Sequence, residues 1–332
     1  MLQRELTTVE ICAGAGGQSL GLELAGFKHV AAIDIDRDCC QTLRANRAGW
    51  HVIEADLAEI DGRPWSGVDL LAGGVPCPPF SIAGKQLGKL DERDLFPQAL
   101  RLIEEIGPRA IVLENVRGFA TPRFAPYRRQ IGTVLDRLGY EVRWTVLNAL
   151  DFGVPQYRPR FVLVGLRPED AQCFSWPANG RPPLTVGESI ADLMGARSWP
   201  GLETWKERAR GFAPTIVGGS KKHGGPDLGP TRARQEWRKL GVEGKSIAES
   251  APDPDFPADG LPRLTVRMVA RVQSFPDDWY FVGTKTSSYK QVGNAFPPPV
   301  AMVIGLSIRA ALGRSQDGPR QLSLVSKSPS HR

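Results

Sequence analysis

Apolar and polar positions fall into repeated blocks along the first half of the chain. Thr8–Ala13 (TVEICA) is an almost wholly apolar run that ends in Gly14-Ala15-Gly16-Gly17. Such a run is the mark of a buried strand, and the glycines mark a sharp turn out of it. Helical spacing follows from about Gln18 to Ala25. The pairing then recurs: His29–Ile35 reads as a strand and Asp38–Asn46 as a helix, Val68–Ala72 as a strand and Phe96–Ile106 as a helix. Ala110–Leu113 and Tyr127–Leu138 repeat it once more, and Glu141–Leu147 and Arg160–Leu166 read as two further strands. Strands separated by helix-length segments predict βαβ units, hence a mainly parallel sheet with helices on both faces.

Beyond Arg167 the texture changes. Pro, Gly, Trp and Arg become frequent and periodicity fades as far as Pro262, which predicts a loop-rich accessory domain. Helical pattern returns at Thr265–Gln273 and at Pro299–Ala311, the latter able to rejoin the first domain. These shifts divide the chain into a sheet domain (residues 1–170 with 283–312), an accessory domain (171–282) and a polar tail (313–332) expected to be disordered.

Charge sharpens this division. Residues 197–245 carry eleven Lys or Arg against five Asp or Glu, a surplus equal to the +6 of the whole chain. A neutral body with one basic block points to a local surface for a polyanion, the alternative being a solvated basic face. No apolar run approaches the roughly 18–20 residues that span a bilayer. The first ten residues lack the basic-then-apolar pattern of a secretory leader, so a cytoplasmic protein without a membrane partner is expected. Five cysteines form no CxxC pair, and four histidines are scattered without ligand spacing. That pattern suits a reducing compartment and no metal site.

Four local patterns carry chemistry. Gly14, Gly16 and Gly17 between a strand and a helix suit a nucleotide cradle, because glycine lets the backbone approach a ligand; a plain tight turn is the alternative. Asp34 ends the next strand, where a carboxylate accepts ribose hydroxyls. The spacing is not GxGxxG, so a ligand without phosphates is favoured. Cys77 follows a strand end and sits among Pro76, Pro78 and Pro79, a setting for a nucleophile or for a buried structural thiol. Glu114 emerges from the apolar strand Ala110–Leu113, where desolvation raises a carboxyl's pKa; a salt-bridged or capping glutamate is the alternative. Arg158 and Arg160 alternate in an extended segment and suit a bidentate anchor, or an exposed surface pair.

These pieces occur in one order. Ala13-Gly14-Ala15-Gly16-Gly17, Asp34-Ile35-Asp36, Asp56, Pro76-Cys77-Pro78-Pro79-Phe80-Ser81, Glu114-Asn115-Val116, Gln156-x-Arg158-x-Arg160, Arg263 to Arg267 with Gln273 to Asp277, and Gln291-Val292-Gly293-Asn294-Ala295 together resemble the DNA (cytosine-5) methyltransferase family of bacterial restriction-modification systems. The resemblance spans roughly Thr8 to Gly305.

The resemblance implies an α/β, Rossmann-like S-adenosylmethionine-dependent methyltransferase sheet with a smaller, loop-rich target-recognition domain. It implies methyl transfer from S-adenosyl-L-methionine to C5 of a flipped-out cytosine in a specific double-stranded DNA sequence. Cys77 would add to C6, Glu114 would hold N3 and the exocyclic amine, and Arg160, with Arg158, would fix the base carbonyl and the glutamate. Ala13, Gly14, Gly16, Gly17, Asp34, Ile35, Asp56, Leu57 and Asn294 would hold the cofactor. The segment Ser81–Leu95, with Ser81, Lys85 and Gln86, would close over the flipped base. Lys221, Lys222, Arg232 and Arg234 would contact DNA. A cognate restriction endonuclease in the same system and a monomeric enzyme are implied as well.

Three positions depart from the family. Cys12 stands where relatives usually carry an aromatic, Ile35 where some carry a bulky aromatic, and Met268-Val269 where a glutamate-containing pair is usual. A tRNA cytosine-5 methyltransferase would usually carry a Cys-Phe-Thr element, which is missing here. A nucleotide-binding oxidoreductase would leave Cys77, Glu114 and Arg160 unexplained together.

Overall fold

A computed structural model describes residues 4–76, 94–180, 182–218 and 226–314. Among them, β1 (Leu6–Ile11), β2 (Phe27–Asp34), β3 (Val52–Glu54), β4 (Leu70–Gly74), β5 (Ala110–Val116), β6 (Glu141–Asn148) and β7 (Pro159–Leu166) form one sheet. Its order is β3-β2-β1-β4-β5-β7-β6. Strands β1 to β5 pair in parallel, whereas β7 lies antiparallel between β5 and β6. The cause is the connection. β6 reaches β7 through a short turn built on Ala149–Phe152, which reverses the chain but is too short for a crossover helix.

The helices are α1 (Gly17–Leu24), α2 (Arg37–Asn46), α3 (Phe96–Ile106), α4 (Ala125–Arg137), α5 (Pro168–Ala171), α6 (Val186–Met194), α7 (Leu202–Arg208), α8 (Thr231–Lys239), α9 (Val266–Val272), α10 (Lys285–Asn294) and α11 (Pro298–Arg314). Apart from β3 and α10, for which the apolar pattern predicts no element, the strands and the longer helices fall where that pattern places them. The accessory segment is more regular than its sequence suggests, since α6, α7 and α8 form inside it. Each has only seven to nine residues, shorter than the window over which helical period registers. Local chemistry still marks one start: Thr185 and Glu188 cap α6 reciprocally. At α9, Thr265 accepts from the Met268 amide and the Met268 sulfur takes the Thr265 amide at 3.4 Å. The methionine thus occupies the place that a glutamate would hold in a capping box.

Three groups of buried side chains support the sheet. Leu22, Phe27, Ile304 and Ile308 fill one face, and Val9, Ile33, Leu102 and Leu135 the other. The third group runs from Leu20, Cys40 and Leu43 to Trp237, Trp279 and Tyr289, so the accessory segment shares apolar core with α1 and α2. Trp279 ties the two together by donating its indole N–H to the Ala15 carbonyl at 3.1 Å. The stretch Lys285–Gly313 contains an 18-residue window of mean hydropathy 1.5, apolar and long enough to span a bilayer, which the run-by-run reading does not anticipate. That window is 61 % buried within the fold, and α11 packs along α1 as a core helix.

The α1–α11 contact depends on Gly21, where a Cβ would lie 2.4 Å from the Pro298 carbonyl oxygen. Gly21→Ala is therefore expected to destabilise the fold by about 1–3 kcal/mol through overpacking. Gly49→Ala, with nothing within 4 Å of its Cβ position, is the matched control. The midpoints of urea unfolding read the difference.

Candidate active site at the carboxyl edge of the sheet

Five parallel strands release their carboxyl ends on one side of the sheet, where open α/β folds bind ligands. Four of them line a cavity of about 490 Å³ there. Its wall takes Cys12 to Ala15 and Gly17 after β1, Asp34 to Asp36 after β2, Gly74 to Pro76 from β4, and Glu114 to Val116 from β5. Lys290, Gln291, Asn294 and Phe296 close it from α10 and the turn that follows.

The reversed strand β7 completes the site. Because β7 is antiparallel, its first residues lie beside the last residues of β5: Val116 pairs with Arg160 and Glu114 with Val162. Arg160 and Val162 share a face, so the Arg160 side chain is the diagonal neighbour of Glu114. The Arg160 Nε donates to the Glu114 carboxylate at 2.9 Å, with the side chains only 11 % and 12 % exposed. Burial pushes the Glu114 carboxyl above its usual range, and the charge of Arg160, then of Arg158, opposes the rise. Burial likewise lowers the Arg160 guanidinium, with Glu114 opposing. The pair is thus a proton-retaining acid held beside a fixed cation. Asn115 braces the next loop, its side-chain amide donating to the Val75 carbonyl at 2.7 Å.

Arg158 does not join this pair. It is wholly buried, and its guanidinium donates to the carbonyls of Ile216, Gly293 and Ala295. Gln156 accepts from the Ile216 amide at 2.8 Å and donates to Gln273, which in turn donates to the carbonyls of Val292 and Ala295. Arg158 therefore pins the accessory segment at Ile216 to the end of α10. Its two Nη groups go to backbone oxygens and to Gln156, while its Nε has no partner among the described residues, an arrangement that suits a positioning role.

The cofactor residues expected from the sequence divide by place. Ala13, Gly14, Gly17, Asp34, Ile35 and Asn294 line the cavity. Asp34 accepts the amides of Gly14 at 2.7 Å and Asp36 at 2.8 Å, which shapes the loop and leaves further lone pairs for a ligand. Burial raises the Asp34 carboxyl, and those two amides restrain it. Ile35 is 67 % exposed at the rim. Gly17 is required sterically, since a Cβ would meet the Phe296 carbonyl oxygen at 2.3 Å. Gly16 is instead a packing residue: it caps α1 at φ 86° and sits against Leu43 and Trp279. Leu57 points into the core, and the exposed Asp56 caps the following turn through the Ala58 amide. Asp56 nonetheless acts on the cavity: with burial, Asp34 and Glu10, it raises the pKa of the Cys12 thiol.

Sequence reading misses Glu10 and Lys290, both of which line the cavity. Glu10 does carry a signal, being an acid inside an apolar strand run. Lys290 pairs with Asp36 at 3.0 Å, a contact across 254 positions that no local pattern encodes. Arg232 is exposed and Arg234 partly so on the basic helix α8. Cys77, Ser81, Lys85, Gln86, Lys221 and Lys222 lie outside the described residues. The chain reaches Cys77 from Pro76, which lines the cavity, and Leu95 beyond the gap donates its amide to the Pro76 carbonyl at 3.4 Å.

Comparison with known proteins agrees with this geometry. The profile of the C-5 cytosine-specific DNA methylase family matches residues 6–310. Type II methyltransferase M.NaeI of Lentzea aerocolonigenes is 53 % identical over 95 % of this chain and 77 % of its own length. Type II methyltransferase M.NgoMIV of Neisseria gonorrhoeae is 51 % identical over 93 % of this chain and 98 % of its own. Among solved structures, Entamoeba histolytica methyltransferase EhMeth superposes with a TM-score of 0.66 at 15 % identity, covering 93 % of this chain and 99 % of that one. Spodoptera frugiperda DNMT2 gives 0.64 at 17 % identity, covering 92 % and 99 %.

Removing Arg158 strips three buried carbonyls of their donor and leaves a void. Arg158→Ala is therefore expected to cost about 3–5 kcal/mol of stability, measured by urea denaturation. Arg160→Ala, nearer the surface and with one carboxylate partner, is expected to cost less.

Proposed function

The chain belongs to the C-5 cytosine-specific DNA methylase family and is a DNA (cytosine-5-)-methyltransferase of Type II restriction-modification character; from that premise we propose that it methylates a cytosine flipped out of a specific double-stranded sequence, through a transient bond between Cys77 and C6. One observation carries the reading. The buried Glu114–Arg160 pair opens on the same cavity as the Gly14–Asp34 cradle, with the residue before Cys77 in the wall between them.

The cavity suits S-adenosyl-L-methionine. Its volume of about 490 Å³ lies within the usual range for small-molecule sites, and among the described residues its wall carries Glu10, Asp34, Asp36 and Glu114 against one lysine, Lys290. An acidic wall complements a cationic ligand. Ala13, Gly14 and Gly17 would cradle the amino-acid end, Asp34 the ribose hydroxyls, and Ile35 at the rim the adenine, with Asn294 closing the pocket. Bound there, the cofactor supplies the methyl group.

The rest of the chemistry falls to side chains. The Cys77 thiolate adds to C6, and the ring electrons move toward N3, which takes the Glu114 proton. Arg160 holds the base carbonyl oxygen and keeps Glu114 aligned. C5, now nucleophilic, takes the methyl group. Loss of the C5 proton to a base then expels the Cys77 thiolate, N3 returns its proton to Glu114, and the restored ring is 5-methylcytosine. The elevated Glu114 pKa has a clear sign: its proton is kept to higher pH than an ordinary glutamic acid keeps it, and is lost as pH rises through the folded value.

Extrusion of the base costs a few kcal/mol. Phosphate contacts from Arg232, Arg234, Lys221 and Lys222, and contacts from Ser81, Lys85 and Gln86, would offset that cost. We assign the enzyme to the cytoplasm as a monomer, protecting cellular DNA against a cognate restriction endonuclease.

Cys77→Ser is expected to abolish methylation while cofactor binding persists, and the wild type to form a covalent adduct with duplex DNA containing 5-fluorocytosine. Full turnover by Cys77→Ser would overturn the mechanism. Glu114→Gln is expected to lower kcat by about 10²–10⁴-fold and to remove the alkaline limb of the pH–rate profile. Bisulfite sequencing of plasmid DNA from expressing cells reads both the activity and the sequence methylated.

A further inference from the structure

Helix α8 presents two unlike polar stripes to solvent. Its inner side is held to the core by the fully buried Trp237, with Leu240 just past its end. Arg232, Glu236 and Lys239 share one outer stripe, and there Lys239 pairs with Glu236 at 2.8 Å. Thr231, Arg234, Gln235 and Arg238 share the other, at the spacing that places side chains on one helix face. Along this second stripe runs a groove of about 250 Å³, with the loop 242–245 as its far wall. That loop adds Lys245 and Glu243, whose Oε1 accepts the Lys245 amide at 2.9 Å. Among the described residues, neither arginine of this stripe forms an ion pair.

The two arginines differ in freedom. Arg234 lies along the protein surface: it donates to the Thr231 hydroxyl at 3.3 Å, and its Cγ is 3.1 Å from the Cβ position of Gly244. Arg238, one turn farther on, is exposed, and its fork of N–H donors is free among the described residues. A free guanidinium fork matches O6 and N7 of guanine in the major groove, whereas a cation held along the surface serves a phosphate. A helix about 10–12 Å across fits a major groove about 12 Å wide. The place of α8 suits this too. A Cβ on Gly229, just before the helix, would lie 3.3 Å from Ala233 and 3.5 Å from Val217, and Val217 abuts Gly293. Tyr289 donates its hydroxyl to the Asp227 carbonyl at 2.6 Å. The first turn of α8 is thereby anchored to α10, whose last residue, Asn294, lines the cavity.

We propose that Arg238 is a specificity-determining residue: it enters the major groove from the unpaired stripe of α8 and reads one guanine of the methylated sequence through O6 and N7, while Arg234 holds a phosphate beside it. The inference rests on the reading of this chain as an enzyme of double-stranded DNA. It goes further by giving one base of the recognised sequence a named reader. Cytosine in a duplex is paired with guanine, so every site the enzyme can methylate contains the base that Arg238 takes. Lysine, a point charge without the fork, does not replace it.

Once bisulfite sequencing has given the methylated sequence, kcat/KM is measured on duplexes that carry 7-deazaguanine, which lacks the N7 acceptor, at each guanine in turn. For the wild type, one position is expected to cost about tenfold. Arg238→Ala and Arg238→Lys are expected to lose the penalty at that position alone, and to methylate duplexes altered at that base pair as well as the original. Arg232→Ala, on the other stripe, is expected to lower kcat/KM alike on all duplexes and to flatten its salt dependence. A wild type indifferent to every 7-deazaguanine, or an Arg238→Ala enzyme that keeps every wild-type penalty, overturns the assignment while leaving the methyltransferase reading intact. Failure of the wild type to methylate any duplex overturns that reading and the assignment together.

Discussion

The antiparallel insertion of β7 beside β5 is the constraint on which the site depends. Parallel strands deliver their carboxyl ends to one edge of the sheet, and a further parallel strand would have carried Arg160 to the opposite edge. Reversal brings an amino-terminal residue to the carboxyl edge, so that Arg160 meets Glu114 at 2.9 Å in a nearly buried setting. Burial there does two opposed things. It raises the carboxyl so that it holds its proton, and it strengthens the guanidinium's hold on the carboxylate form. The outcome is an acid of restrained strength at a fixed place, which suits the proposed proton donation to a ring nitrogen.

A second buried network makes that edge rigid. Gln156 and Arg158 precede Arg160 by four and two residues; Arg158 donates to Ile216, Gly293 and Ala295, and Gln156 accepts from the Ile216 amide and donates to Gln273, which reaches Ala295. Three distant stretches of chain therefore meet at one point: the start of β7, the accessory segment, and the end of α10 where Asn294 faces the cavity. Trp279 adds a clasp on the far side through Ala15 and Gly16. With apolar core shared across the accessory segment as well, the cavity wall and the Glu114–Arg160 pair belong to one packed body. A buried cation that holds three backbone carbonyls is well suited to this, since moving it would strand several acceptors at once.

Much of this architecture is legible in the order of residues. The apolar strand runs, the glycine turn and the acids at strand ends locate the sheet and one side of the cavity, because local period and local chemistry are written within a few residues. The accessory helices α6, α7 and α8 are not legible in that way, since each is too short for its period to register. Glu10 and His29 are hidden for a different reason. Glu10 shows only as an acid inside an apolar run and His29 as an ordinary strand residue, and their contact runs diagonally between adjacent strands, which no local pattern encodes.

Sequence alone determined the inventory: a cradle of small residues, a cysteine among prolines, a glutamate leaving a buried strand, two alternating arginines and one basic block. It also determined their order, and with it the family. Tertiary structure decided which of the two arginines faces the acid, turning Arg160 to Glu114 and spending Arg158 on the backbone. It also decided that Gly16 serves packing while Gly17 serves the cavity. Residues two apart in an extended segment are equivalent in the sequence pattern. What separates them is the number of donors and acceptors left unpaired around each, and that is set only when distant segments pack.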